Sequence, residues 1–374
     1  MKTVLLAGNN PGATNPLIPV AKKLTAEGRV NVVVLGHGTA EQILRDAEVP
    51  FKTIKDFRLT DVSGNSMELL LRHGKPDLVL VGTASQEGKA NDIIEQTLVQ
   101  ACKTAHTKSV AVLDAWLNYS QRFTDERTDN HLDCLPDKIL VMDQVAKDDM
   151  LAEKFPVDKL VITGNPAFDV LAQTVREFSE QDRQRVRRYV GLPQSTLFFF
   201  AGSVFSSLKD DFGYWDMDIL EVLAGMLKKF PNVGLAVGPH PRMKDDHPQD
   251  LQRLKAFIEQ FGGNIKLVEG IKSLPLAQAA DLSIVSESSM GNTFVLMGLP
   301  CISLQPGLKK KPDPLLVSRK DIVPHAYDKA TCQRVLEEVV HPATRMKILE
   351  RYGDFTTDGK ATDRVVKLVY SLLS

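Results

Sequence analysis

The chain is short of the features that mark specialised proteins. Only four cysteines occur in 374 residues, and Cys102, Cys134, Cys301 and Cys332 are scattered with no metal-ligand spacing. The histidines show no such spacing either, so no metal is expected. No apolar run approaches the roughly 18 residues that cross a bilayer, which leaves no integral membrane segment to expect. Residues 1–12 place Lys2 before an apolar run, yet that run is only a strand long and no small-residue cleavage pattern follows. It reads as a first strand and not as a signal peptide. Neither charge is in excess: 46 basic side chains face 47 acidic ones, for a net charge of −1. That balance argues against nucleic-acid and membrane-surface partners, which usually demand a basic surplus. The cytoplasm is the expected compartment. A GxGxxG dinucleotide fingerprint, a Walker loop, a GxSxG nucleophile elbow and a paired-carboxylate glycosidase signature are all missing.

What is present is an ordinary globular composition, 43% apolar and 25% charged, in a chain long enough for two domains. Short apolar strands are expected at 3–7, 30–35, 51–54, 77–81, 110–113, 139–142 and 160–163. Amphipathic helices lie between them, at 17–26, 40–47 and 91–105 and from 143 to about 154. Residues 177–188 are dense in charge and read as a solvated helix. The alternation then restarts, with strands at 196–201, 233–237, 265–268, 282–285 and 301–304. Helices are expected at 219–229, 251–261, 274–280, 290–297 and 361–373. Continuous apolar strands between amphipathic helices predict parallel sheets covered on both faces. The fold class is therefore α/β, as two Rossmann-like parallel-sheet domains facing a cleft. The domains are placed at 1–164 and 165–360, with a C-terminal helix at 361–374 expected to pack back on the first. No sequence repeat relates the halves.

The turns at the carboxyl ends of these strands are where open α/β sheets bind ligands. The most informative is Ser286-Glu287-Ser288-Ser289, with Gly291 and Asn292 behind it, between a strand and a helix. A polar turn opening a helix offers main-chain N–H groups to an anion, usually phosphate. Simple helix capping by the serines is the competing reading. Gly202-Ser203 is a similar small turn. His240, held between two prolines, suits phosphate binding or acid–base work. Gly8, Asn9, Asn10 and Gly12 form a loop through which a ligand can approach the backbone, or an ordinary strand-to-helix turn. Asp114 stands just beyond an apolar strand, as a general base, a partner for a sugar hydroxyl or a cap. Glu87 lies in another such loop. The lysines of 308–314 (LKKKPDP) are read as a solvated loop, with contact to a diphosphate as the alternative.

Residues 163–169, TGNPAFD, resemble the TGNxxxD segment of the UDP-N-acetylglucosamine 2-epimerase family. The segment 281–302, with IVSESS and its trailing glycines, resembles the nucleotide-sugar domain shared by that family and the GT-B glycosyltransferases. The opening GxxPGATNPLIPVAKKL is similar to the start of such proteins, including the muramyl-lipid N-acetylglucosaminyltransferases. This resemblance implies a GT-B-like architecture. It implies that Ser286, Glu287, Ser288, Ser289, Gly291, Asn292, Ser203, Gly164 and Asn165 hold the donor and its diphosphate. His240 would lie near the phosphates or sugar, and Gly8, Asn9, Asn10 and Gly12 would face the sugar or acceptor. Asp114 falls where the epimerases carry a catalytic Glu. The departures are specific: the Arg, Glu and Lys of the epimerase opening loop read Asn10, Gly12 and Asn15. The paired acids that hold the ribose read Asn292 and Thr293.

The expectation is a GT-B-like glycosyltransferase using a nucleotide-sugar, most simply a UDP-sugar, and an unknown acceptor. Asp114, Glu87 and His240 are its candidate catalytic residues, and no cofactor is obligatory. An NDP-sugar 2-epimerase is the alternative activity, and a non-catalytic nucleotide-sugar-binding protein the alternative class. A homodimer is left open.

Overall fold

The computed structural model describes residues 1–84, 93–125 and 131–374. The chain divides into two compact units. Unit 1 is 1–173 with 357–374, and unit 2 is 174–356.

Unit 1 carries a six-stranded, all-parallel sheet: β1 (Thr3–Gly8), β2 (Asn31–Gly36), β3 (Leu78–Val81), β4 (Lys108–Val112), β5 (Lys138–Val141) and β6 (Leu160–Ile162), in the order 2-1-3-4-5-6. Its inner strands are apolar because helices cover both faces. Val4, Leu6, Leu78, Leu80, Val110 and Val112 share one core with Leu17, Val20 and Leu24 of the helix Leu17–Glu27. The last helix, Ala361–Leu373, adds Val365, Val366 and Val369 to that same core.

Unit 2 carries a second six-stranded parallel sheet: β7 (Thr196–Ala201), β8 (Val233–Gly238), β9 (Ile265–Leu267), β10 (Leu282–Val285), β11 (Cys301–Leu304) and β12 (His325–Ala326), in the order 12-11-10-7-8-9. Phe198, Phe199 and Phe200 of β7 are wholly buried at its centre.

The strand orders matter for function. In each sheet the chain first builds outward on one side of the opening strand, then jumps to the other side. The reversal falls between β1 and β3 in unit 1 and between β7 and β10 in unit 2. Ligands of open α/β sheets bind beyond the carboxyl ends of strands at such reversals.

Two expectations are corrected. Residues 51–54 form no strand: Lys52 alone bridges to Leu35, and then the main chain of Thr53 donates to Asp56 at 2.7 Å and turns the chain into the 3-10 helix Ile54–Phe57. The charged stretch at 177–188 divides between two helices, Pro166–Glu177 and Glu180–Val190. It is not wholly solvated, since Arg183 and Arg187 both reach Asp281, at 2.8 and 2.7 Å.

Candidate functional site

In unit 1, β1 ends at Gly8 and the chain turns through Asn9 and Asn10 into the short helix Pro11–Thr14. Asn10 caps that helix, its side-chain oxygen accepting from Ala13 at 2.9 Å. Asn9 is held from both ends. Its N–H donates to Glu95 at 2.8 Å, and its carbonyl accepts from Ala40 at 3.0 Å. The glycines allow close approach: a Cβ on Gly12 would stand 2.1 Å from Asp114 Oδ2, and one on Gly82 would stand 2.0 Å from the Ala13 carbonyl. The turns behind β1, β3 and β4 are thus in contact.

Asp114 sits at the centre of this group. Its Oδ1 accepts from Thr83 Oγ1 at 2.7 Å and from Arg122, while Oδ2 faces Gly12. The pair is nearly dry, with 5% of the Arg122 side chain and 16% of the Asp114 side chain exposed. Arg122 also donates to the Thr83 and Leu117 carbonyls. One oxygen of Asp114 is therefore committed to structure, and the other takes no hydrogen bond from the described residues. Glu95 is fully buried, and burial, with Asp114 nearby, pushes its carboxyl up to about 7. Glu87 lies outside the described residues.

Gly164 and Asn165 also belong to unit 1, where they have structural work. Gly164 has φ +80, and a Cβ there would meet Ala361 Cβ at 2.9 Å. The side-chain oxygen of Asn165 accepts from Ala167 N–H at 2.8 Å at the start of the helix Pro166–Glu177. Asp169, the last residue of TGNPAFD, accepts from the main-chain N–H groups of Ala361 and Thr362 at 3.1 and 2.7 Å. The segment clasps the C-terminal helix.

In unit 2 the two turns at the sheet reversal meet directly, Ser203 Oγ lying 2.6 Å from Ser286 Oγ. Behind them runs a buried polar chain. Ser303 donates to the Ser286 carbonyl at 3.1 Å, and Gln305 donates to Ser303 at 3.1 Å and to Asp313 at 2.8 Å. Tyr214, Ser318 and Tyr327 complete it. Ser286 is thus a buried structural member of the turn. Glu287, Ser288 and Ser289 are its outer residues, and the N–H groups of Ser288 and Ser289 have no partner among the described residues. Burial raises the Glu287 carboxyl, opposed by the charge of Lys310. Lys310 and Lys311 lie over the rings of Phe212 and Tyr327.

Two other residues of this segment have packing roles. A Cβ on Gly291 would press on Val285 at 2.9 Å, so glycine here lets the helix Met290–Leu296 seat against the sheet. Asn292 accepts from Val317 N–H at 3.3 Å.

A cavity of about 700 Å³ opens beside the turn. The 238–241 turn, the loop at 268–274 and Met290, the residue that follows the Ser-rich turn, line it. Lys244 and Lys272 also line it and pair with no carboxylate among the described residues. Ile271, Leu274 and Leu276 supply apolar surface. His240 Nδ1 accepts from Arg242 N–H at 3.2 Å, which puts the neutral ring's proton on Nε2. Burial, then the Arg242 charge, lowers its pKa. In its neutral form His240 is therefore a hydrogen-bond donor through Nε2.

Sequence reasoning missed Arg122, Glu95, Asp216, Gln305 and Asp313. Asp216, at the start of the helix Asp216–Lys229, accepts from the Ser203 and Val204 N–H groups at 3.2 and 3.0 Å. Only Asp313 stood in a segment already singled out, and there the lysines drew attention.

No protein-family profile matches the sequence, and no curated protein matches it. The fold itself is decisive about class. Two six-stranded parallel sheets with flanking helices, each reversing beside its first strand, make this a GT-B fold. UDP-GlcNAc 2-epimerase from Neisseria meningitidis, solved bound to UDP-GlcNAc, is similar over 99% of this chain and 100% of its own, with TM-score 0.71 and 15% identity. A glycosyltransferase from Rickettsia africae gives 0.63 at 13% identity, covering 100% of this chain and 99% of its own. MurG from Acinetobacter baumannii gives 0.62 at 14% identity, covering 99% and 100%. At these identities the likeness is one of fold.

Proposed function

We propose that this protein is an enzyme acting on a nucleotide-activated sugar, and that its reaction is sugar transfer. One observation carries the reading: in unit 2, His240, Lys244 and Lys272 line a single cavity that reaches Met290, the residue directly after Ser288 and Ser289 with their unpartnered N–H groups. Its volume lies within the ~300–1,000 Å³ of small-molecule sites. Its polar groups are mostly donors and cations, which suits a diphosphate, and its apolar wall suits a base. That proteins of this fold have been solved with UDP-GlcNAc supports the choice of ligand.

In this reading Lys244 and Lys272 hold the diphosphate with the turn N–H groups, and His240 Nε2–H donates to a phosphate or sugar oxygen. These groups stabilise the charge that develops on the leaving diphosphate. Within unit 1, Asp114 Oδ2 is the candidate acceptor for a hydroxyl proton. Transfer is preferred to 2-epimerisation because Asn10 and Asn292, where the epimerase resemblance implies an Arg and an acid, are used up in capping and packing. The epimerase reading is kept because epimerases are among the structural neighbours and because the sequence resemblance implies a catalytic glutamate at the place of Asp114.

The test is a thermal-shift panel with UDP, GDP, CDP and dTDP, followed by incubation of the matching sugar nucleotide with and without acceptors. A shift for one diphosphate that disappears in His240→Ala/Lys272→Ala supports the site. No shift with any of them overturns it. Product formed without acceptor selects the epimerase, and tight binding without turnover selects a binding protein.

A further inference from the structure

His240 lines the cavity of unit 2, yet its ring has few local restraints. Pro239 and Pro241 restrict the main chain around it and leave its side-chain torsions free. Among the described residues the ring makes one hydrogen bond, from Arg242 N–H to Nδ1 at 3.2 Å, about which the imidazole can still pivot. Phe205 supplies a second constraint. Its ring meets the His240 ring edge-to-face, with centroids 5.2 Å apart and planes at 89°. The same ring stacks on His247, at 4.0 Å and 19°. Phe205 is itself buried, and the residues on either side of it are pinned. Asp216 accepts the Val204 N–H at 3.0 Å, and Asp250 accepts the Ser206 N–H at 2.8 Å. The Phe205 carbonyl accepts from Leu208 N–H at 3.0 Å. Both carboxylates are buried in the first turns of helices, Asp216–Lys229 and Pro248–Phe261, and His247 immediately precedes the second helix. Phe205 does not line the cavity, so its route to a ligand there runs through His240.

We propose that Phe205 is a positioning residue for His240, and that its ring, stacked on His247, fixes the plane in which Nε2–H is presented. One aromatic ring ties together three places distant in sequence: the turn behind β7, the 238–241 turn and the start of the helix Pro248–Phe261. An imidazole held at Nδ1 alone samples several orientations, and a hydrogen bond weakens steeply as its angle departs from linear. Fixing the ring before a ligand arrives removes that ordering cost from binding. A ring that merely filled the core would disturb the whole unit when removed, whereas a positioning ring acts through His240 alone. What His240 then donates to, a phosphate or sugar oxygen, rests on the sugar-nucleotide reading. The lock on its ring does not.

The test is a double-mutant cycle on the full chain, with Phe205→Leu, His240→Ala and the two combined. Calorimetric titration reads the binding of UDP, or of whichever of GDP, CDP and dTDP the wild type prefers. Phe205→Leu should weaken binding by about threefold to tenfold, the worth of an edge-to-face ring pair, and by less than about twofold once His240 is alanine. An equal loss in both backgrounds overturns the proposal, because the ring would then act as general packing. No loss in either background overturns it as well. Should Phe205→Leu fail to fold, His247→Ala takes its place in the cycle, since it removes the ring on which Phe205 stacks. In the wild type, nuclear Overhauser contacts from the Phe205 ring protons to those of His240 and His247 are expected, and their absence overturns the lock without any variant. A wild type that binds none of the four diphosphates removes the sugar-nucleotide reading, and the ring contacts then decide the lock alone.

Discussion

Asp169→Ala should loosen the C-terminal helix. The helix Ala361–Leu373 begins at Lys360, which makes no capping side-chain bond. Its first two N–H groups are instead satisfied by Asp169, at 3.1 and 2.7 Å, from nearly two hundred residues away. Loss of a capping side chain costs about 0.5–2 kcal/mol, and loss of a carboxylate at the positive end of a helix about 0.3–1 kcal/mol more. The expected total is about 2 kcal/mol. For a unit of this size that lowers Tm by about 4–8 °C. Asp169→Asn keeps one accepting oxygen without the charge and should cost about half as much. Calorimetry of the full chain reads the shift, and amide exchange in the first turn of the helix localises it. Unchanged Tm with unchanged exchange at 361–364 would refute the clasp. Loss of nucleotide binding with both unchanged would mean that TGNPAFD touches the ligand and does not hold the helix.

Arg122→Leu strands the buried Asp114 carboxylate and should destabilise the protein by about 3–5 kcal/mol, seen as a lowered urea midpoint. Glu95→Gln should reveal a pH dependence of known sign. Folding raises the carboxyl from 4.5 to about 7, so the wild type's advantage from this group is full below pH 4.5 and is lost as pH climbs through 7. The uncharged variant should therefore be more stable than wild type at pH 8 by about 1–3 kcal/mol, converging with it near pH 4.5, in urea unfolding at the two pH values. Lys244→Ala and Lys272→Ala should each weaken diphosphate binding by about tenfold and flatten its dependence on salt, because each removes one cation from a site shared with the phosphates. Equal salt slopes for wild type and both variants in calorimetric titrations would rule the lysines out.

How much could be read in advance depended on whether a residue's environment is local. The strands 282–285 and 301–304 appear at their expected bounds, since three apolar residues out of four between Gly, Pro and polar turns leave few alternatives. The helix Gly64–Gly74 was passed over although its signals were present: Ser63 caps it and Met67, Leu70 and Leu71 form its buried stripe. Site geometry divides the same way. That the turns behind β7 and β10 meet is a matter of strand order, which parallel-sheet rules constrain. Glu95 and Asp216 look like the acidic first-turn residues of any exposed helix, because only the tertiary fold places a turn's N–H groups against them and water out of reach. Asn292 has a partner that the sequence hides for the same reason. Its position in the motif suggested a ligand, and its partner Val317 is supplied by a segment 25 residues away.

The C-terminal helix has a consequence for the order in which the chain is made. Val365, Val366 and Val369 belong to the core built on the first strands, but they are synthesised only after the whole of unit 2. At ~5–20 residues per second, roughly 10–40 s separate the emergence of the two parts. Unit 2 has all its segments in one continuous stretch and can close first. Unit 1, though most of it is made before unit 2, waits with an uncovered patch beside Leu17, Val20 and Leu24. Vectorial synthesis and domain completion therefore run in opposite directions, and the nascent first unit is the species that a chaperone would meet.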